Sequence, residues 1–289
     1  MKNITSTQPK KWRETIDPFE IKFKKLKIIE ILGYPYAAND VFYLKALFEN
    51  KEINCFLKYA RHIEANIKNE IQNINLLNLN NIPEIIEFDD DYLYIVTKEL
   101  SGNRLSTIVG DNKDLKSLSY MKAYGQMLAL LHQIEGNFNN APQRRFHELP
   151  KKEYFREIDL NIIYNWLIKN KPIHVNKCFI HGDFHYANVL WENHHISGIL
   201  DFELSGIGNK EFDIAWAIIL RPEQKFLKTV EECKEFIAGY RLINPCDINL
   251  VKYYQALIYS RFYKLGDNDY QEYILNWYQE NLLNDKFRC

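Results

Sequence analysis

Residues 181–203 read HGDFHYANVLWENHHISGILDFE, and the reading of that stretch decides the rest. Two apolar runs, VLW at 189–191 and ISGIL at 196–200, flank the polar Glu192 to His195, so the pattern predicts a β-hairpin. A hairpin returns its second strand to where the first began. Asn188 before it and Asp201 after it are therefore expected side by side, an amide oxygen and a carboxylate within reach of one hard cation. Asp183 stands in the loop just ahead. Phosphoryl transfer calls for such a set: oxygen ligands for Mg²⁺ on a phosphate chain, and a carboxylate that orients or deprotonates the attacking hydroxyl.

Two blander readings compete on spacing alone. Asp and Asn often do no more than form turns, but that leaves the convergence of acids and an amide at one hairpin end without a reason. Alternatively, His181, Asp183 and His185 form an H-x-D-x-H pattern whose members share one face of a strand, as in a hydrolytic metal site. No further His or Cys stands at a typical partner spacing to complete it.

HGDFHYANV resembles the H-G-D-x-x-x-x-N signature of the aminoglycoside phosphotransferase and choline kinase family, whose spacing is also that of the protein-kinase catalytic loop. The resemblance implies an α+β, protein-kinase-like bilobal fold, with a small β-rich lobe over residues 1–100 and a larger, mostly helical lobe over 101–289. It makes Asp183 the catalytic carboxylate and assigns Asn188 and Asp201, in ILDFE, to Mg²⁺. His181, and Asp213 in EFDIAW, become structural supports of the loop. ATP is the implied donor, with GTP left open, and a hydroxyl of a small molecule the acceptor.

The upstream sequence supplies the other half of such a site. KIIEIL, VFYLKALF and EINCFLKYA are strand-like runs, and Ile63, Ile67, Ile71, Ile74 and Leu77 then follow helical spacing between Arg61 and Leu79. Two more strands are expected around the acidic turn at Asp89 to Asp91, which makes a five-stranded antiparallel sheet plus a helix. In EINCFLKYA, alternation puts Ile53, Cys55 and Leu57 on one face and Asn54, Phe56 and Lys58 on the other. By resemblance Lys58 contacts the nucleotide phosphates. Its acidic partner is Glu64 or Glu70 by periodicity, and the resemblance selects Glu70. The same resemblance makes Lys98, Glu99 and Leu100 main-chain neighbours of adenine, before a hinge at SGNRL. LGYPYAANDVF has the single glycine Gly33 where protein kinases carry three, leaving Ala37, Ala38 and Asn39 to offer amides to phosphate.

Downstream, helices are expected over 116–135 and 151–169, and four more between 211 and 283. His132 sits on an apolar stripe and reads as a core histidine. The stretch from Asp201 to Asp213 is too short for a regulated, peptide-docking segment, so a small-molecule acceptor is expected: an aminoglycoside antibiotic, or choline, homoserine, a sugar or a macrolide. A non-catalytic kinase-shaped binding protein is the remaining alternative, and the retained lysine and metal ligands argue against it.

Composition sets the outer limits. A formal charge of −1 gives no electrostatic case for nucleic acid, and no apolar run is long enough for a membrane span. Five scattered cysteines, none in a C-x-x-C pair, fit a reducing compartment. The N-terminal MKNITSTQPKKWRE lacks the apolar core of a secretory leader, so a cytoplasmic monomer or homodimer is expected.

Overall fold

Alternation of buried and partly exposed residues in the two runs over 40–48 and 51–59 builds the centre of the first sheet. The computed structural model describes residues 16–35, 37–61 and 65–283; Ile63 and Glu64, of the predicted helix, fall outside them. Strands β1 (Leu26–Gly33), β2 (Asp40–Phe48) and β3 (Lys51–Tyr59) are followed by helix α1 (Ile67–Leu76) and strands β4 (Ile85–Phe88) and β5 (Tyr94–Lys98). The sheet is antiparallel in the order β1-β2-β3-β5-β4, with Lys58 of β3 opposite Val41 and Ile95. One face is apolar: Phe42, Leu44, Cys55, Leu57 and Val96 are fully buried there. The predicted helix is confined to α1, because the Asn66 side chain caps it by accepting from the Asn69 amide, and Leu77 turns extended at its other end.

The chain then runs through β6 (Asn103–Arg104), α2 (Leu105–Val109), α3 (Leu118–Leu131), α4 (Lys152–Glu157) and α5 (Asn161–Lys169). It continues with β7 (Lys177–Ile180), β8 (Val189–Glu192), β9 (His195–Ile199) and β10 (Gly206–Asn209). Helices α6 (Lys210–Ile218), α7 (Val230–Arg241), α8 (Ile248–Phe262) and α9 (Asn268–Tyr278) complete it. Two compact units result: residues 1–102 with Ser197–Leu204, and Asn103–Ile196 with Ser205 onward.

In the second unit α3 and α7 cross closely. A Cβ on Gly125 would lie 2.0 Å from the Phe236 carbonyl oxygen, and one on Gly239 would lie 2.1 Å from that of Lys122. The single helix expected over 151–169 is two, α4 and α5, since Asp159 takes a left-handed φ of 54° that no helix continues. The hairpin turn is tighter than its polar stretch suggested. Asn193 and His194 alone make it, with φ of 49° and 63°, the two positive values a two-residue type I′ turn requires. Among the described residues no helix is long and apolar enough to cross a membrane.

Candidate functional site

In the first unit, everything converges on Lys58. Alternation along β3 sends Cys55 and Leu57 into the core and leaves Phe56 and Lys58 on the opposite face. The Lys58 ammonium lies 2.8 Å from Glu70 of α1, 2.8 Å from Asp201 and 2.6 Å from Glu203. Burial works against its charge, but Asp201, Glu70 and Glu203 raise its pKa well above the ordinary lysine value. Glu70 moves upward in turn, chiefly through burial, with Lys58 pulling it down and Asp201 and Glu203 adding to the rise. Three carboxylates around one ammonium leave two negative charges in excess when all are ionised.

Glu70, Asp201 and Glu203 each present an oxygen within 4.8 Å of the others. An all-oxygen, anionic donor set with surplus negative charge is the chemistry that suits Mg²⁺ or Ca²⁺. Asp201 is held at a φ of 68°, a left-handed conformation that Asp tolerates better than most residues. Glu203 is locked by the Asn39 side chain at 2.9 Å and the Asn66 amide at 2.6 Å. Asn39, expected to offer a backbone amide, is buried and uses its side chain here.

At the end of β5, the Lys98 amide donates to the Glu84 carbonyl and the Glu99 amide to that of Asn54. The Lys98 ammonium pairs with Glu84, and the Glu99 carboxylate accepts from Tyr43 and Asn54. The Leu100 amide has no acceptor among the described residues.

In the second unit the loop 181–188 is organised from below by Asp213 of α6. Its carboxylate accepts the amides of His181 at 2.8 Å and Gly182 at 3.0 Å, and His132 Nε2 lies 3.2 Å away. His132 is buried as expected, and it braces Asp213 while its Nδ1 meets the Tyr240 hydroxyl at 2.7 Å. Gly182 has a φ of 78°, so its lack of a side chain is what lets the loop turn there. Asn188 turns its amide nitrogen onto the Asp183 carbonyl at 3.1 Å and carboxylate at 3.3 Å. Its own carbonyl oxygen has no partner among the described residues.

Asp183 is ringed by donors. Trp216 Nε1 donates to its Oδ1 at 2.7 Å and Arg144 Nη1 at 3.3 Å, while His185 Nε2 lies 3.6 Å from Oδ2. Burial by itself would raise this carboxyl; His185, Arg144 and Arg221 outweigh it and hold the group far below the usual carboxylate range. Arg144 arrives on a segment pinned to β10 through the paired bonds of Ile207 with Asn139 and Ala141. Trp216 is 33 residues from Asp183 and Arg144 is 39 away, so no local spacing announced either one. Glu203 was within reach of sequence reasoning only as a second acid two positions after Asp201, because the left-handed Asp201 and the 3-10 turn over Phe202–Leu204 that bring it to Lys58 leave no periodic signal.

The model described as the phosphotransferase enzyme family matches residues 49–241 of this chain. Among solved structures, the choline kinase LicA from Streptococcus pneumoniae is similar at 18% identity, with 89% of this chain and 92% of that one covered and a TM-score of 0.58. The amicoumacin kinase hAmiN, solved with AMP-PNP, Ca²⁺ and Ami, is similar at 15% identity, 90% and 88% coverage and a TM-score of 0.54. The ADP-bound aminoglycoside phosphotransferase APH(2'')-Ib is similar at 16% identity, 92% coverage of each chain and a TM-score of 0.53. No curated protein matches the chain. At such identities the structures speak for the fold, which is protein-kinase-like. With two thirds of its length matched and the H-G-D-x-x-x-x-N loop intact, the chain belongs to the phosphotransferase enzyme family.

Proposed function

We propose that the protein transfers the γ-phosphate of ATP to a hydroxyl of a small molecule. Asp183 carries this reading: it is a carboxylate kept ionised and aimed by Trp216 and Arg144, on a loop that Asp213 clamps from beneath. A carboxyl with so little affinity for a proton is suited to orient the hydroxyl, with proton loss following as the new bond to phosphorus forms. Lys58 is the phosphate contact, held in its charged form by Glu70. Asp201, joined by Asn188, is the divalent-metal ligand, and the surplus negative charge at Lys58 supports a cation there. The metal, when bound, neutralises charge on the phosphates. Lys98, Glu99 and Leu100 flank the base, with the Leu100 amide the donor left to offer.

The nucleotide complexes of the amicoumacin kinase and of APH(2'')-Ib support ATP as the donor, and the Ca²⁺ of the former supports a divalent ion. The solved neighbours also include a macrolide 2'-phosphotransferase and an ethanolamine kinase, so an antibiotic and a small metabolite are both within the range of acceptors. The test is a coupled assay of ADP release across such acceptors with Asp183→Ala alongside. Turnover should vanish in the variant while a thermal shift with ATP and Mg²⁺ persists. Near-normal turnover in the variant would remove Asp183 from its role.

A further inference from the structure

The three acids around Lys58 are not equivalent. Asp201 keeps 39% of its side chain exposed, against 7% for Glu70 and 11% for Glu203. Among the described residues Lys58 is the one partner of the Asp201 carboxylate, and likewise of the Glu70 carboxylate. Glu203 is held at both oxygens by other groups. Its Oε1 accepts the Asn66 amide at 2.6 Å; its Oε2 accepts from Asn39 Nδ2 at 2.9 Å and lies 2.6 Å from Lys58 Nζ. Its backbone carbonyl accepts from Asn69 Nδ2 at 3.0 Å, which fixes the short turn Phe202–Leu204. Asn39 stands just before β2, Asn66 caps α1, and Asn69 lies in the first turn of that helix. Of the three acids, then, Glu203 is the one whose place does not depend on the lysine.

That difference bears on what happens when a nucleotide arrives. A lysine carries its charge on a flexible four-carbon stem, so the groups around the ammonium decide where it stands. Asp201, exposed and otherwise unengaged, is the acid assigned to the divalent ion. With the ion on Asp201, two like charges would sit side by side, and the ammonium would be pushed off unless something else held it. We infer that Glu203 is a positioning residue that anchors the Lys58 ammonium when Asp201 goes over to the metal, and that Asn39 and Asn66 fix it for that task. Through Asn39 the same contact ties the end of the β1–β2 connection to the lysine. The inference rests on the roles proposed above for Lys58 and Asp201, and it gives Glu203 no bond to the metal.

The test is made on the full chain with AMP-PNP and Mg²⁺, binding being followed by calorimetry. Glu203→Gln removes the charge and keeps an oxygen for the Asn66 amide, and affinity should fall about ten-fold or more. The Mg²⁺ concentration that half-saturates binding should stay within about two-fold of the parent's. In a Lys58→Met background the same change should weaken binding no further, since no ammonium is left to hold. Should Glu203→Gln fail to fold, Asn39→Ala carries the same test with a loss of about three-fold, again absent without Lys58. Parent-like affinity, or a loss that persists in the Lys58→Met background, overturns the inference. So does a raised Mg²⁺ requirement, which would make Glu203 a metal ligand instead. Failure of the parent itself to bind AMP-PNP with Mg²⁺ overturns the phosphotransferase reading along with it.

Discussion

The Lys58 and Asp183 clusters are near inverses. In one, a single ammonium is held by three carboxylates; in the other, a single carboxylate is held by guanidinium and indole donors, with an imidazole 3.6 Å away. The Lys58 cluster carries a negative surplus when its three acids are ionised, and a surplus held in a half-buried place is an affinity waiting for its opposite. A structural ion pair would have been closed to neutrality, because uncompensated charge costs stability.

The largest effect should come from the single carboxylate. Asp183→Asn keeps the size but removes the charge proposed to orient the hydroxyl, and kcat should fall on the order of 10³-fold or more with the ATP-induced thermal shift intact. Next comes Lys58→Met, which strands three acids without their ammonium. Chemical denaturation should show a loss of roughly 3 kcal/mol, part of it recovered on adding Mg²⁺; full stability without Mg²⁺ would mean the acids do not depend on Lys58. Trp216→Phe deletes one 2.7 Å hydrogen bond to Asp183 and should lower kcat about ten-fold while KM for ATP holds.

The smallest effects are of opposite sign in the two units. Burial lifts the Glu70 carboxyl to about 7 from 4.5, so the folded chain holds that proton more tightly. The resulting stability is complete below about pH 4.5 and lost as pH rises towards 7. In the other unit, burial and then Arg144 lower His147 to about 4 from 6.5. Its Nδ1 accepts the Arg144 amide at 3.0 Å, which only the unprotonated nitrogen can do. That stability is present above pH 6.5 and lost as pH falls through 4. Urea midpoints of Glu70→Gln and His147→Gln, each subtracted from the parent between pH 4 and 7, should slope in opposite directions by on the order of 1–3 kcal/mol. Parallel slopes would break the contrast.

Legible in the sequence is whatever travels along the chain. Alternation in EINCFLKYA aimed Lys58 away from the core, and the helical spacing after it brought an acid into range. The polar break in VLWENHHISGIL marked a reversal, although only the backbone angles of Asn193 and His194 show how tight it is. The motif located Asp183, and nothing nearby in sequence told what surrounds it. Arg144 comes from a loop tied to β10 and Trp216 from the middle of α6, contacts made by packing between distant segments. Such contacts leave no periodic trace, and Arg144 in PQRRF looks like any solvated arginine.

The excursion of Ser197–Leu204 into the first unit has a consequence for how the protein is made. The strands, the helix and Lys58 itself are synthesised within the opening 102 residues, but Asp201 and Glu203 follow about a hundred residues later. At a ribosomal pace of about 5–20 residues per second, the nascent sheet spends several seconds with Glu70 as the sole acid of the three beside its lysine. A fragment ending at Gly102 would remain in that condition for good, which makes the gene divisible by length at a place where the protein is not.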